Sequence, residues 1–383
     1  MKIAVIGAGA IGCLVAGYLK LKNEDVILLG HSDSVKAIKE NGLQISGVRG
    51  NLSLKIDVSD KLSNKPDLVI LSTKTQDIER ALKDNFEFIR GTTVLTTQNG
   101  VQADTIVAKY VSKENIISSI VMFGATYLPP QPMHGCGGLE PAKVVHNFEG
   151  SWIIGRIFTP LEIKNGHDNF KSKTSPCPNI KDNLRSPKGD LSLTGFDKND
   201  EKVIEISGLL NKIFPTIVSG DLKGMKILKI FVNANNCIPA ILGVSMQEAF
   251  QDSRISQISI AIWKEGLDIV RKSGIDLVSL PDFPLERLLK LTSMPTDEAA
   301  EIFSGIMANL SREPLYGSIL QSIKRGRSSE IDYINGEFLL LAVKNKLSAP
   351  LNEKLVEMVH KVEQTHRFFS KEELLNSTKG LCN

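Results

Sequence analysis

The chain has 383 residues, more than a single hydrophobic core usually supports, so we expect two domains. Residues of the AVILMFWYC set make up 42% of the chain and charged residues 23%, which excludes intrinsic disorder and is ordinary for a globular enzyme. With 46 basic and 43 acidic residues, the formal charge of +3 is too small to indicate a nucleic-acid-binding or membrane-surface protein.

The cysteines and the lengths of the apolar runs exclude further classes of protein. The cysteines are scattered without a CxxC or CxH pair, so neither a disulfide framework nor a zinc site is indicated. They are Cys13, Cys136, Cys177, Cys237 and Cys382. No run reaches the ~18 apolar residues that a membrane span needs. The glycines near the N-terminus fit a folded turn better than a signal peptide, so we expect a cytoplasmic protein.

The first 125 residues alternate short apolar runs with helical stretches. The predicted strands are Lys2–Ile6, Asp25–Leu29, Leu68–Ser72, Val94–Thr97 and Ile116–Met122, and the predicted helices include Ile11–Lys22 and Ser34–Asn41. Because these strands are continuously apolar, they predict a parallel sheet covered on both faces. Right-handed crossovers then give a doubly wound, Rossmann-like α/β domain, which we place at residues 1–220.

Residues 157–193 interrupt this pattern. They contain four prolines and many Lys, Asn, Ser and Asp residues, with few apolar ones. Since structureless loops beyond ~15 residues are uncommon within a compact domain, we interpret this stretch as a surface insertion. A lid over the active site is the functional alternative.

A glycine-rich turn joins the first predicted strand to the first helix. It reads Gly7-Ala8-Gly9-Ala10-Ile11-Gly12, the GxGxxG pattern. Gly7 allows a tight turn, Gly9 lets the backbone approach a pyrophosphate, and Gly12 permits close packing of helix on strand. Because a strand precedes the turn and a βαβ unit closes at residue 29, the pattern indicates dinucleotide binding rather than a turn without a ligand.

The end of the second strand bears on the choice of dinucleotide. NAD-selective sites usually carry an acid there, but this chain reads Leu29-Gly30-His31-Ser32, with no acid before Asp33. Without that acid a 2′-phosphate is not repelled, and His31, Ser32 and Lys36 could donate to it. The sequence therefore favours NADP over NAD. Alternatively, Ser32 or Asp33 only caps the next helix.

Two further polar loops follow strand ends, where open α/β sheets bind ligands. Lys74 follows the strand at 68–72, and Gln98-Asn99-Gly100 follows the strand at 94–97. Lys74 could meet a cofactor phosphate or ribose, and Asn99 could present its amide beside a nicotinamide. A solvated lysine and an ordinary Asn-Gly turn are the alternatives.

From about residue 222 the pattern changes to long helical periodicity, so we predict an all-α second domain at 221–383. The predicted helices are Gly224–Leu242, Ile255–Ser273, Ala299–Leu310, Ser318–Lys324, Glu330–Lys344 and Asn352–Arg367. In the first of them Lys229, Asn233 and Asn236 lie at i, i+4 and i+7, so a helix puts them on one face. Polar groups in so apolar a helix favour a stripe that lines a cleft, the alternative being a water-facing stripe.

These motifs occur together in an order that resembles the ketopantoate reductases. They are GAGAIG at the N-terminus, the Lys74 loop, QNG at 98–100, K-x-x-x-N at 229–233, and a serine and a glutamate at 318 and 330 followed by IDYING. The resemblance covers nearly the whole chain except 157–193 and the stretch around 129–138. EIDYING and K-x-x-x-N are its specific parts, since many dehydrogenases share the glycine motif.

The resemblance implies a role for each matching residue. Lys229 would protonate the substrate carbonyl oxygen, and Glu330 would help to hold the substrate and complement the lysine. Asn99 and Asn233 would orient substrate and cofactor, and Ser318 would lie near the substrate carboxylate. Asn236, from the same polar stripe, is a further substrate-binding candidate. The implied cofactor contacts are Gly7, Ala8, Gly9, Ala10, Ile11, Gly12, His31, Lys74, Asn99 and Glu330. No metal is implied.

Two departures affect the implied function. His31 stands where the family usually has an arginine for the 2′-phosphate, and Cys237 stands where many members have a second asparagine. The implied activity is NADPH-dependent reduction of ketopantoate to pantoate, on the route to pantothenate and coenzyme A. The alternatives are a reductase of another 2-keto acid and a non-catalytic dinucleotide sensor. The expected partner is a small-molecule keto acid, not nucleic acid or membrane, and a homodimer is compatible with the sequence.

Overall fold

The computed structural model describes residues 1–128, 142–160, 162–163, 200–310 and 313–382. Most of the predicted insertion at 157–193 lies outside these ranges. The chain divides into two compact units. The first unit comprises Met1–Gln98 and Gln102–Leu222, and the second comprises Asn99–Val101 and Lys223–Asn383.

The strands of the described ranges all belong to the first unit. In chain order they are β1 (Lys2–Ile6), β2 (Asp25–Leu29), β3 (Leu43–Gly47), β4 (Leu52–Leu54), β5 (Asp57–Ser59), β6 (Leu68–Leu71), β7 (Thr93–Thr96), β8 (Ile116–Val121), β9 (Gly124–Leu128), β10 (Ala142–Phe148), β11 (Trp152–Gly155) and β12 (Thr216–Val218). Eight of them form one sheet in the order β12-β11-β8-β7-β6-β1-β2-β5. Its pairs are parallel except β8 with β11. This confirms the predicted α/β class.

Helices cover both faces of this sheet, which explains its continuously apolar strands. In the first unit they are α1 (Ala10–Leu21), α2 (Ser32–Asn41), α3 (Ile78–Asp84), α4 (Phe86–Ile89), α5 (Gln102–Val107) and α6 (Glu201–Leu210). Successive residues of β1 enter opposite cores, because side chains alternate along a strand. Ile3 and Val5 belong to one buried cluster, whereas Ala4 and Ile6 belong to the other.

A second sheet of four strands, in the order β4-β3-β10-β9, was not predicted. It packs against α1, where a side chain at Gly17 would collide with Ile45 of β3. The hydroxyl of Tyr18 on α1 lies 2.9 Å from Nδ1 of His146 on β10. These strands carry polar residues, as in Leu-Gln-Ile-Ser-Gly of β3, so they lack the continuous apolar signal of β1 or β6.

The second unit is helical, as predicted. Among its described residues the β-structure is limited to one isolated bridge between Leu280 and Phe283. Its helices are α7 (Leu222–Ala234), which begins at the end of the first unit, and α8 (Cys237–Leu242), α9 (Met246–Ala249), α10 (Ser253–Lys272), α11 (Leu285–Ser293), α12 (Thr296–Ala308), α13 (Ser318–Lys324), α14 (Asn335–Lys344), α15 (Pro350–Thr365) and α16 (Lys371–Thr378).

The predicted helix at 224–242 is wrong in one respect, because it is broken between α7 and α8. Pro239 has no N–H to donate to the carbonyl of Asn235, and its ring disfavours that carbonyl position. The Asn235 carbonyl instead accepts from the N–H of Ile238 at 3.2 Å. Lys229 and Asn233 therefore share α7, while Asn236 lies in the turn at the head of α8.

The predicted start of the helix at Glu330 is also wrong. A 3₁₀ turn at Ile331–Tyr333 comes first, and α14 begins only at Asn335. Just before this turn, the Oγ of Ser329 accepts from the N–H of Ile331 at 3.3 Å. Glu330 thus precedes the 3₁₀ turn and lies outside the α-helix.

Candidate active site

The glycine turn after β1 is held by contacts that exclude side chains. Gly7 has φ +119°, and its N–H donates to the carbonyl of Leu29 at 2.9 Å. A Cβ on Gly7 would lie 2.6 Å from the backbone nitrogen of Thr73, and a Cβ on Gly12 would overlap the Gly7 carbonyl. At Gly9, by contrast, a Cβ would meet no atom within 4 Å. The turn is therefore tightly packed on one side and open above Gly9.

The open side has the chemistry of an anion site. Gly9 caps α1 without a side chain, and the first turn of α1 contains no acid. The N–H groups of Ala10 and Ile11 are in this first turn, where backbone donors have no intrahelical acceptor. Nearby, Oγ1 of Thr73 is buried without a hydrogen-bond partner within the described structure. These features fit a dinucleotide pyrophosphate.

Gln98 ties together the loops at the carboxyl edge of the sheet. Its Nε2 donates to the carbonyls of Leu71 and Thr73, each at 2.9 Å, so the ends of β6 and β7 are linked by one side chain. Lys74 follows directly, at the head of a 3₁₀ turn (Thr75–Asp77). The QNG motif does not by itself predict these contacts of Gln98, because they depend on the pairing of two strands.

His31 occupies the N-cap position of α2 and is exposed. Its side chain makes no capping hydrogen bond, and the helix begins at Ser32. The alternative in which Ser32 or Asp33 caps this helix is therefore wrong. A surface pocket is lined by Ser32 and Lys36, among other residues of this helix. His31 thus follows β2, where dinucleotide-binding α/β domains commonly carry the residue that contacts the ribose.

The turn Asn99–Val101 groups with the second unit although the residues on both sides of it belong to the first. Nδ2 of Asn233 on α7 donates to Oδ1 of Asn99 at 3.0 Å. The structure therefore brings together two asparagines that the sequence analysis selected independently. Because each amide has donors and an acceptor, the pair can orient a ligand carbonyl or carboxylate.

Lys229 lies one helical turn before Asn233 on α7, and its side chain is only partly exposed. Burial removes water from the ammonium and lowers the pKa of Lys229 to about 8. The carboxylate of Asp282 acts in the opposite direction and raises this pKa. Asp282 follows the Leu280 bridge position, and the sequence analysis did not select it because no local pattern links it to α7.

Gly317, the residue before Ser318, packs against the side chain of Asn236 and so brings Ser318 near it. A Cβ on Gly317 would lie 3.1 Å from both Cβ and Cγ of Asn236, so the glycine lets the start of α13 approach the head of α8. Ser318, the first residue of α13, is partly buried. Glu330 is 5% exposed at the head of its 3₁₀ turn. All the catalytic and substrate-binding candidates from the sequence thus lie in the second unit.

Cys237 is fully buried at the start of α8. Burial raises the pKa of its thiol to about 12, so it stays protonated. Nδ2 of Asn335 lies 3.9 Å from its Sγ and 3.0 Å from Oδ1 of Asn352. The Asn352 amide in turn donates to Glu265 at 2.8 Å. Cys237 is therefore a core residue beside a buried polar network.

Glu337 is a second residue that the sequence analysis missed. It is 3% exposed on α14, and its Oε1 accepts from the N–H of Val101 at 3.0 Å. A Cβ on Gly100, which has φ +76°, would lie 2.8 Å from the same oxygen. Glu337 thus contacts the backbone of the turn that carries Asn99.

Two further kinds of feature are absent from the described ranges. No helix there is long and apolar enough to span a membrane. Nor does that part of the chain contain a cluster of three or more His, Cys, Asp or Glu residues that could hold a metal ion.

Comparison with protein families gives two matches that together span most of the chain. Residues 3–157 match the family described as "Ketopantoate reductase PanE/ApbA". Residues 221–363 match "Ketopantoate reductase PanE/ApbA C terminal". The stretch between the two matches contains the predicted insertion.

Two curated relatives from Pyrococcus match nearly end to end. The chain is 29% identical over 362 residues to the 2-dehydropantoate 2-reductase of Pyrococcus horikoshii, covering 94% of this chain and 96% of the relative. It is 28% identical over 354 residues to the enzyme of the same name from Pyrococcus abyssi, covering 92% and 94%.

Solved structures share the fold. A ternary structure of D-mandelate dehydrogenase with NADH and anilino(oxo)acetate has a TM-score of 0.69 and 23% identity, covering 95% of this chain and 99% of that one. The 2-dehydropantoate 2-reductase of Geobacter metallireducens has a TM-score of 0.67 and 19% identity, covering 94% and 100%.

Proposed function

Because this chain belongs to the ketopantoate reductase family, we propose that it reduces 2-dehydropantoate to pantoate with NADPH. The reaction is a step towards pantothenate and coenzyme A. The main structural support for this proposal is the arrangement on α7. Lys229, whose pKa is lowered, lies one helical turn before Asn233, which binds Asn99. The curated relatives named 2-dehydropantoate 2-reductase support an oxidoreductase of this type.

Lys229 is the proposed general acid. When bound, the nicotinamide cofactor supplies a hydride to the carbonyl carbon. Lys229 stabilises the negative charge that develops on the carbonyl oxygen and donates a proton from Nζ to it. With a pKa of about 8 the side chain is mostly an ammonium at neutral pH, yet it is a stronger acid than an ordinary lysine. Burial of the amine therefore supplies the acidity.

The amides and hydroxyl around Lys229 would orient the keto acid. Asn233 uses its Nδ2 to bind Asn99, which leaves the Nδ2 group of Asn99 able to donate to a ligand oxygen. Asn236 and Ser318, which meet through Gly317, are proposed to bind the substrate carboxylate. Glu330 is proposed to hold the substrate and to complement the charge of Lys229.

The glycine turn of the first unit is the proposed dinucleotide site. The N–H groups at the start of α1 would bind the pyrophosphate, and Lys74 would bind a phosphate or ribose. The preference for NADPH rests on His31, since a neutral or cationic imidazole at the end of β2 does not repel a 2′-phosphate as a carboxylate would.

A reductase of another 2-keto acid is the second candidate. The fold resembles that of D-mandelate dehydrogenase, whose structure holds NADH and anilino(oxo)acetate. This candidate therefore includes a different keto acid as substrate and NADH as cofactor. Cys237 also replaces the second asparagine of many members, and its burial means that it contributes no exposed polar group.

The deciding experiment measures NADPH and NADH oxidation with 2-dehydropantoate and with a panel of branched, straight-chain and aromatic 2-keto acids. Highest kcat/KM with 2-dehydropantoate and NADPH would support the proposal. Highest kcat/KM with another keto acid or with NADH would favour the second candidate. Dinucleotide binding without turnover of any keto acid would instead indicate a sensor. Light scattering on the same samples would test the expected homodimer.

A further inference from the structure

A buried carboxylate on α14 holds the backbone of the Asn99–Val101 turn. Oε1 of Glu337 accepts from the N–H of Val101 at 3.0 Å. The side chain of Glu337 is 3% exposed, and burying a carboxylate costs free energy. Its position in the first turn of α14 offsets part of that cost, because the helix N-terminus favours a negative charge.

Gly100 lets the turn approach Glu337 closely enough for the hydrogen bond to Val101. Its φ of +76° is one that residues with a Cβ rarely adopt. A Cβ there would lie 2.8 Å from Oε1 of Glu337 and would overlap the carbonyl oxygen of Tyr333. The turn therefore fits against α14 and the preceding 3₁₀ turn only with glycine at its centre.

Asn99 is fixed at both of its ends by these contacts. Its side chain accepts from Nδ2 of Asn233 at 3.0 Å, while the backbone two residues later is bound by Glu337. Rotation of the Asn99 amide would break the contact with Asn233, and a shift of the turn backbone would break the contact with Glu337. The remaining Nδ2 donors of Asn99 thus point in a direction set jointly by α7 and α14.

We propose that Glu337 is a positioning residue that acts through Asn99: it holds the 99–101 turn so that the Asn99 amide meets the keto acid in the productive orientation. This rests on the proposed reductase function. Glu337 itself touches neither substrate nor cofactor in this proposal. A short-range misplacement of a positioning amide is expected to affect the rate strongly, because catalysis depends on near-attack geometry.

The first test measures the turn directly, without any turnover. Amide hydrogen exchange at Val101 should become about tenfold faster or more in Glu337→Ala, as expected when a hydrogen bond to a charged acceptor is lost. Glu337→Gln keeps an acceptor oxygen and should restore most of the protection. Glu353 is the matched control, since it is an exposed glutamate in the first turn of α15, and Glu353→Gln should change nothing. Unchanged exchange at Val101 in Glu337→Ala would overturn the proposal.

The second test is a double-mutant cycle on kcat/KM for 2-dehydropantoate. If Glu337 acts through Asn99, then Glu337→Ala should lower kcat/KM in the wild-type background and add little in Asn99→Ala. If the double variant loses kcat/KM by the product of the two single losses, Glu337 acts independently of Asn99, and the proposal would be overturned. Where Glu337→Ala does not fold, Glu337→Asp takes its place, because it retains the charge but withdraws the oxygen from Val101. A wild-type enzyme without any keto-acid turnover would overturn the proposed function, while the exchange rate of Val101 would still decide whether Glu337 holds the turn.

Discussion

Asn233 donates a hydrogen bond from Nδ2 to Oδ1 of Asn99 at 3.0 Å, although 134 positions separate the two residues in the chain. Each residue comes from a motif with an ordinary alternative, an Asn-Gly turn in one case and a solvated helix face in the other. Their contact joins the two partly buried amides in one polar pair, which supports the functional interpretation of both motifs. It also fixes which atom of each amide remains for a ligand.

Asn233→Asp should therefore be more harmful than its small change in shape suggests. An aspartate cannot donate to Oδ1 of Asn99, so either two acceptor oxygens face each other at about 3 Å or the Asn99 amide flips and uses its Nδ2 on the new carboxylate instead of on a ligand. We expect kcat/KM for the keto acid to fall by about tenfold to hundredfold, the range for a lost hydrogen bond that involves a charged group. Steady-state kinetics check this. Asn376→Asp, at an exposed position of α16, is the control and should leave kcat/KM unchanged. Near-normal kinetics of Asn233→Asp would remove the asparagine pair from the site.

Lys229→Ala should lower kcat far more than it weakens NADPH binding. The proposed work of the ammonium is to stabilise charge and to donate a proton in the transition state, a role worth about 10²–10⁴-fold in rate. Turnover and the dissociation constant for NADPH, measured by fluorescence titration, separate these two effects. Lys223 lies exposed on the same helix, and Lys223→Ala should change neither quantity. A folded Lys229→Ala enzyme with near-normal kcat would show that the acid lies elsewhere.

Asp282 gives a test of how the acidity of Lys229 is set. Its carboxylate raises the pKa of Lys229, so Asp282→Asn should lower that pKa below about 8. The acid must be protonated to work, so kcat/KM falls as the pH rises through this pKa. In the variant that fall should begin at a lower pH, while the acidic side of the profile stays in place. Asp276→Asn removes an exposed carboxylate six residues earlier and should leave the profile unshifted. Identical alkaline limbs in wild type and Asp282→Asn would contradict the prediction.

The strands of the large sheet could be predicted because their signal is local. β1 and β2 were predicted with the bounds they have, since both faces of each strand are covered and almost every residue is apolar. The four-stranded sheet could not be found in the same way. Its burial alternates, as in β3 and β10, and its partner on α1 includes Tyr18, a residue that the sequence alone does not distinguish from others on that helix.

In the helical unit, two of the incorrect predictions could have been avoided from local sequence patterns. Pro239 should have ended the predicted helix before Asn235, because proline cannot donate to the residue four positions earlier. The capping box of Ser370 and Glu373 marks the start of α16, a helix absent from the prediction. Both are short-range patterns that hydrophobic periodicity does not register.

In the candidate site, helical spacing predicted that Lys229 and Asn233 share a face, and the structure places both on α7. Glu337 could not be found from spacing, since its contact with Val101 spans 236 positions and depends on how α14 packs. Asp282 lies outside any helix or strand and gives no periodic signal. Glu337 and Asp282 were thus not predicted, because their interactions with Val101 and Lys229 depend on long-range packing.

Replacing His31 by Asp should shift the cofactor preference from NADPH towards NADH. A carboxylate at the end of β2 repels a 2′-phosphate and can accept hydrogen bonds from the ribose hydroxyls instead. The ratio of kcat/KM for the two cofactors measures the shift, and dissociation constants measured without keto acid check it independently of turnover. His31→Ala removes the imidazole without adding charge, so it should shift the ratio less. An unchanged ratio in His31→Asp would transfer the selectivity to Lys36 or Ser32, which line the neighbouring pocket.

His146 makes the stability of the first unit depend on pH. It is fully buried on β10, its Nδ1 lies 2.9 Å from the hydroxyl of Tyr18, and its Nε2 has no hydrogen-bond partner in the described structure. Burial lowers its pKa below the ordinary 6.5; the nearby Glu149 opposes this effect and Arg49 adds to it. The unfolded chain therefore binds the proton more tightly than the folded one.

The resulting prediction has a definite sign. Well above pH 6.5 His146 is neutral in both states and contributes no pH dependence, whereas stability is lost as the pH falls through 6.5 towards the lowered pKa of the folded state. Thermal unfolding of the wild type should therefore show a Tm that drops through this window. His146→Asn retains an amide near Tyr18 but does not titrate, so its Tm should fall less steeply over the same range, whatever its absolute value. The control is His360→Asn, which removes a partly exposed histidine on α15. Because His146 is retained, the drop of Tm with falling pH that His146 causes should remain. Parallel Tm curves for wild type and His146→Asn between pH 6.5 and 5 would mean that the buried imidazole takes up its proton without unfolding.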